Sequence, residues 1–423
     1  MKTVWIVIAV LVVTALAGFA VWSIGASRSL DASIDELDTR HRIRSVPTDY
    51  PRREASNDAA RALDEVARRA GLTILPTTEA EALTEAKGWG EVRSMAGFYL
   101  TEVLNGRVEF APPAPEDVAR FLGQHAADLD EAESLILEGG DVRFASKLDE
   151  GLAAPVPNLL GVLGLTRIFS LRALEAGRVG EHESAWRSLE AAWRLQGSLE
   201  DQPHLITRLI SIASVKLIAG SARRLTAPVP PWFGELAGHD PREQLMEGLR
   251  AEMYAISTIR TKFRPEDFAM SGDDDGFGLV RRPFARPMLF WDTAFALEDM
   301  ARLVELGQQT DPCVLDAETL ATDSVTKRPW WARLAIVMPN VASAVTRANQ
   351  AALDIEGTRA ILDIRHDPSA FTERPSGVCR GESWRAETAA GDAVRVWFTG
   401  SIPAPKSQPD GSVLPTELNV SLR

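Results

Sequence analysis

The chain has 423 residues, 45% of them hydrophobic and 25% charged, with a formal net charge of −13. That length can bury one large core or two ordinary ones, and the composition excludes wholesale disorder. The acidity argues against nucleic acid or anionic lipid held by bulk electrostatics, since both need a basic surface.

The first element is apolar. From Val4 to Ala26 there is no charge, and only Thr14 and Ser23 interrupt the run. About 20 such residues in helix cross the roughly 30 Å hydrocarbon core of a bilayer. Trp5 and Trp22 sit near its two ends, where indoles favour the headgroup zone. A cleaved signal is the competing reading, with Ala15-Leu16-Ala17 as a small-x-small site. Cutting there leaves Gly18 to Ile24, still apolar, so the expectation is an uncleaved single-pass anchor over residues 1–27. Lys2 precedes the span, and Arg28 followed by Asp31, Asp35 and Glu36 comes after it. Orientation then places the bulk outside the cytoplasm, in the periplasm, with the anchor in the inner membrane. Residues 28–54 read as a juxtamembrane linker.

Helices follow one another over 55–365. Ala59, Leu63, Val66 and Ala70 mark one face of a helix closed by Gly71. Thr78 and Glu81 form a capping box for a short helix to about Lys87. A helix over Glu91–Leu104 comes next, and Pro115 opens one running to about Glu138. Asn158–Ala176 and Glu181–Leu199 flank a turn at Gly177 and Gly180, making a helical hairpin. The helix after Pro203 is apolar nearly all round and therefore central; Arg208 and Lys216 argue against a second span. Further helices are expected at about 241–262, 287–308 and 330–364, the last kinked at Pro339. Between the first two lies an irregular stretch at 263–286. From 366 to 423 the pattern changes to short alternating runs, Glu382–Thr388, Ala393–Thr399 and Glu417–Leu422. The fold class expected is mainly α: packed helical hairpins, an N-terminal transmembrane helix and a small C-terminal antiparallel β unit.

Cys313 and Cys379 are the two cysteines. In an oxidising compartment an even count favours a disulfide. Closing that loop is worth about 4 kcal/mol in the chain-entropy treatment.

The segment ALEAGRVGEHESAWRSLEAAWRLQGSLEDQP resembles one tetratricopeptide-type hairpin, without a second copy at a fixed period. The anchor, then SLDASIDEL, then YPRREASNDAARALDEVARRAGL, is similar to a class of uncharacterised membrane-anchored helical bacterial envelope proteins. The tail, ANQAALDIEGTRAILDIRHD followed by RGESWRAETAAGDAVRVWFTG, resembles that of type II secretion pseudopilins in its helix-then-strands order. It lacks the Tyr-Pro pair, the Asp-Pro-Phe/Trp-Gly element and the prepilin processing site of that family. The resemblance implies no activity.

Catalytic signatures are missing from the chain. There is no serine-hydrolase elbow, dinucleotide fingerprint or P-loop. His182-Glu183 begins a zinc-protease motif, but Trp186 stands where the second imidazole belongs. Ser324 and Lys327 match a penicillin-binding S-x-x-K without its companion motifs. SGDDDGFG, with Asp273, Asp274 and Asp275, invites a calcium loop, but Arg282 occupies the position of the bidentate Glu. The three aspartates therefore mark a possible functional loop between helices. Glu131, Glu133 and Glu138 read as a solvated helix face. No catalytic residue, cofactor or metal site is assigned. The expectation is a non-catalytic envelope binding or scaffold protein with a protein partner and no nucleic acid. The alternatives are an envelope hydrolase acting on peptidoglycan or another glycan through carboxylates, and a secretion- or pilus-associated component.

Overall fold

A computed structural model describes residues 2–76, 88–105, 110–226, 228–262, 278–315, 341–367, 373–389, 393–401 and 417–421. Its first helix, α1, runs without a break over Lys2–His41. The large side chains of its first half face outward: Trp5 is 67% exposed, Leu16 62% and Ile24 52%. Further along, Ala26, Leu30, Ile34 and Leu37 are buried. Their spacing of four, four and three residues is an amphipathic stripe. Residues 28–54 are thus no linker. The charged residues of this stretch lie off the stripe, and Arg40 and Asp31 pair with the body, at Glu305 (3.0 Å) and Arg260 (2.9 Å). After Arg42, which adopts φ 52°, a 3-10 turn at Ile43–Ser45 and a short helix α2, Val46–Asp49, bury Ile43 and Val46.

Helix α3, Asp58–Arg69, starts where the Asn57 side chain accepts from the Ala60 amide. Helix α4 is Trp89–Asn105. The single helix expected over 115–138 is two, α5 at Glu116–Gln124 and α6 at Ala126–Glu138. His125 breaks them at φ −104°, ψ 15°. Its ring lies 4.8 Å from Phe121 and its Nδ1 3.3 Å from Asp128, contacts that a helical pattern of apolar residues does not encode. Helices α7, Leu159–Arg178, and α8, His182–Gly197, form the expected hairpin. Gly180 turns it at φ 86°, a conformation that favours glycine. Then come α9, Leu205–Ala222, the short α10, Phe233–Ala237, α11, Pro241–Ser257, and α12, Ile259–Lys262. Helices α13, Gly278–Gln309, and α14, Val341–His366, complete the helical part. The capping-box helix at 78–87 and the Pro339 kink lie outside the described residues.

Among the described residues three large cores are strung along this frame, beside a small cluster of Val46, Leu148 and Ala251. The first joins α3 to α8 and the end of α9 around Leu165, Phe169, Trp186 and Ile218. The second packs α1 beyond Ala26 against α11, α13, and the starts of α9 and α14. The third seats the β unit on the end of α14. Helix α9 is apolar enough to cross a membrane, yet 67% of that window is buried inside the protein. It contributes Leu205 and Ile212 to the second core and Val215, Ile218 and Ala219 to the first. Helix α14 similarly reaches all three, through Val345, Ile355 and Ile361. These two helices are the shared spine.

The C-terminal strands are β1, Glu373–Pro375, β2, Ser383–Ala389, β3, Ala393–Phe398, and β4, Glu417–Ser421. They form an antiparallel sheet in the order β1-β2-β3-β4, with Trp384 opposite Phe398 and Val396 opposite Leu418. Cys313 and Cys379 form the expected disulfide, their Cα atoms 5.6 Å apart.

Candidate functional site

The hairpin turn and α6 line an open surface cleft of about 730 Å3. Helix α6 supplies Asp130, Glu133 and Ser134; α7 supplies Arg172; the start of α8 supplies His182, Glu183, Ser184 and Arg187. Glu133 is the buried group, 3% exposed. It sits four residues after Leu129 and three before Ile136, both buried, and so on the packed face of α6. The sequence reading of a solvated acidic face is overturned here. Glu131 does lie at the surface, paired with Arg69, and Glu138 binds Arg187 at 2.6 Å. The usable signal was position: Glu133 shares the register of Leu129 and Ile136.

Ser188 donates to Glu133 Oε1 at 2.6 Å. Arg172 approaches the same oxygen at 3.4 Å while holding Asp130 at 2.5 Å, and Arg187 lies 4.0 Å from Oε2. Burial pushes the Glu133 carboxyl's pKa up, against the pull of Arg172 and the Ser188 hydroxyl. The Nδ1 of His182 is buried with no hydrogen-bond partner among the described residues. The cleft therefore offers a buried carboxyl whose pKa is raised, two guanidiniums and an imidazole. It suits a small polar ligand better than an apolar one.

The sign of the Glu133 shift gives a test of its environment. A carboxyl whose folded pKa is raised supports folding most below its unfolded value, and that support is lost as pH rises through the folded pKa. In Glu133→Gln the amide oxygen still accepts from Ser188, and Arg172 and Arg187 keep Asp130 and Glu138. At neutral pH this variant is expected to be as stable as the parent or more so, by on the order of 1 kcal/mol. The difference should shrink as pH falls toward 4.5, in thermal melts taken across that range. A variant markedly less stable at pH 7 would mean that the ionised carboxylate is needed.

Other sequence candidates fall elsewhere. Asp273, Asp274, Asp275, Ser324 and Lys327 lie outside the described residues. The Asp311 carboxylate and the sulfurs of Cys313 and Cys379 lie within 4.8 Å of one another. Those sulfurs are bonded to each other, however, and thiolates are what a metal would take. Asp311 instead accepts from the amides of Cys313 (2.8 Å) and Arg380 (2.7 Å), tying the two ends of the bridge together. His204 is buried and His239 half-buried, and burial lowers the pKa of both; they are not paired ligands. Trp186, which replaces the second histidine of the zinc motif, packs edge-on against Trp232 and Phe233.

The chain matches no protein-family model, no curated protein and no solved structure.

Proposed function

We propose that this is a single-span envelope protein whose helical body works by binding, as a non-catalytic scaffold or accessory factor outside the cytoplasm. One observation supports this most: the apolar, outward-facing half of α1 continues without a break into the stripe that the body buries. A removable signal has no reason to share a helix with the core of the mature fold. A body joined this way stands at a fixed height and angle, as suits the presentation of a surface to a partner. Cleavage after Ala17 would leave α1 starting at Gly18, so the mass of the protein recovered from cells decides the matter. The full chain is expected, resistant to alkaline extraction from membranes and digested by protease added to spheroplasts whose inner membrane is sealed. A chain starting at Gly18, or a body protected from that protease, would overturn the tether or its orientation. For the scaffold, crosslinking in intact cells followed by co-purification should return a reproducible envelope partner, and repeated failure counts against it.

A second reading, an envelope hydrolase acting on a glycan, draws on Glu133 alone. A buried carboxyl with a raised pKa at the edge of a cleft is the kind of group a general acid uses. That mechanism needs a second carboxylate on the same substrate, and Asp130 is already held by Arg172. Release of soluble fragments from peptidoglycan by the parent but not by Glu133→Gln would favour it.

A further inference from the structure

We propose that the groove between α10 and the last turns of α14 binds a small organic acid, an apolar body carrying one carboxylate, and that Arg359 takes the charge. The groove measures about 640 Å3 and shares no residue with the Glu133 cleft. Phe233 and Leu362, each 4% exposed, line it from the two helices. Pro228 and Val229, both exposed, line it from the segment before α10. Gly234 leaves room on the α10 side, since a methyl built there would meet no atom within 4 Å. A cleft of this size, mainly apolar with a few polar groups, is the usual form of a small-molecule site.

The walls are held in place without a ligand. Arg365 Nη1 donates to the carbonyls of Arg223 at 2.7 Å and Leu225 at 2.8 Å, which pins the chain leading into Pro228 to α14. Pro228, Pro230 and Pro231 then restrict φ along that wall. Asp363 binds Arg374 at 2.6 Å and so ties its turn of α14 to β1. Binding therefore has little left to order, which favours affinity. Of the two arginines in the lining, Arg365 is spent on backbone carbonyls and Arg359 is not. Arg359 is exposed, and among the described residues no carboxylate pairs with it; Asp363, one turn later, is taken up by Arg374. Its planar guanidinium matches a carboxylate through two parallel hydrogen bonds. One free guanidinium suits one negative charge. A phosphate dianion would bring a second, and the carbonyl end of α14, about two turns on, repels it.

Photolabelling of the full chain in lipid nanodiscs with para-benzoylbenzoate, an aromatic carboxylate, tests this. Adducts are mapped by peptide mass spectrometry, which separates groove labelling from probe dissolved in the lipid. Adducts are expected on 228–238 and 359–366, and about tenfold fewer with the uncharged para-benzoylbenzamide. Arg359→Gln should lower the yield from the acid about tenfold and leave that from the amide unchanged. Gly234→Leu, which fills the groove, should remove both. Arg359 is exposed, so its variant tests the charge even where the leucine disturbs α10. Equal labelling by acid and amide would mean an uncharged occupant and overturn the proposal. Adducts confined to other segments, or an unchanged yield from the acid in Arg359→Gln, would overturn it as well.

Discussion

Replacing Asp354 by alanine is expected to cost about 3–5 kcal/mol, because it strands a buried cation. Arg223, which follows α9, and Asp354, on α14, are each about 2% exposed or less, and their charged atoms are 2.5 Å apart. Arg223 also donates to Thr358 Oγ1 at 3.2 Å and to the Leu104 carbonyl at 2.9 Å, near the end of α4. Arg224 caps the neighbouring Val103 carbonyl at 2.7 Å, and Arg365 of α14 returns to the carbonyls of Arg223 and Leu225. Cations thus meet the carbonyl ends of two helices, where the helix dipole favours them. The cluster fixes the spine where the first core gives way to the others. Among the described residues Asp354 is the carboxylate paired with Arg223, so its loss leaves the guanidinium without a counter-charge. The contrast with Glu133 is instructive: there each neighbouring arginine keeps a second acid. Urea unfolding of Asp354→Ala measures the loss, and the double variant Arg223→Met/Asp354→Leu should recover much of it. A single variant within about 1 kcal/mol of the parent would show that the pair is not a strut.

The local patterns proved readable wherever one element buries one face. The α7–α8 hairpin follows from Ala185, Trp186, Leu189, Ala192 and Trp193 at helical spacing, all of them buried. Strands β2, β3 and β4 follow from alternation and begin and end within a residue or so of expectation. What escaped local reading was set by distant partners. The stripe on α1 looked like a charged linker because its receiving surface, α13, lies more than 230 residues away in the chain. Glu133 looked solvated because Ser188 and Arg172 belong to the next two helices. The Arg223–Asp354 pair is separated by 131 positions and leaves no periodic trace. His125 ends a helix through contacts of its own ring, while Gly123 just before it is still helical and does not mark the break. The cleft suffers most from this, since its residues come from three helices and only their packing brings them together.

Removing the disulfide should have the second large effect, and it should be local in its first stage. The bridge ties the segment after α13 to the turn before β2, with Cys379 wholly buried. Loss of a crosslink over 66 positions is worth about 4 kcal/mol in the chain-entropy treatment. The β unit has other anchors. Glu356 of α14 accepts from Ser376 Oγ and the Gly377 amide, both at 2.7 Å, and from Trp384 Nε1 at 3.3 Å. Gly357 lets the Trp384 ring lie flush on α14, since a methyl there would come within 2.6 Å of it. Those contacts hold the sheet to the helix, whereas the bridge holds the sheet to α13. In Cys313→Ser/Cys379→Ser the amides of 310–315 and 376–382 should therefore exchange faster while α7, α8 and α9 keep their protection. The thermal transition should fall by several degrees and gain an early shoulder from the β unit. Because Cys379 is buried, added reductant should reproduce this slowly unless the unit opens first. Identical melting of the bridged and serine forms, with unchanged exchange at 376–382, would mean that Glu356 and Trp384 carry the docking alone. The expected division instead makes the bridge the constraint that keeps α13, and with it the stem of α1, in register with the far end of the molecule.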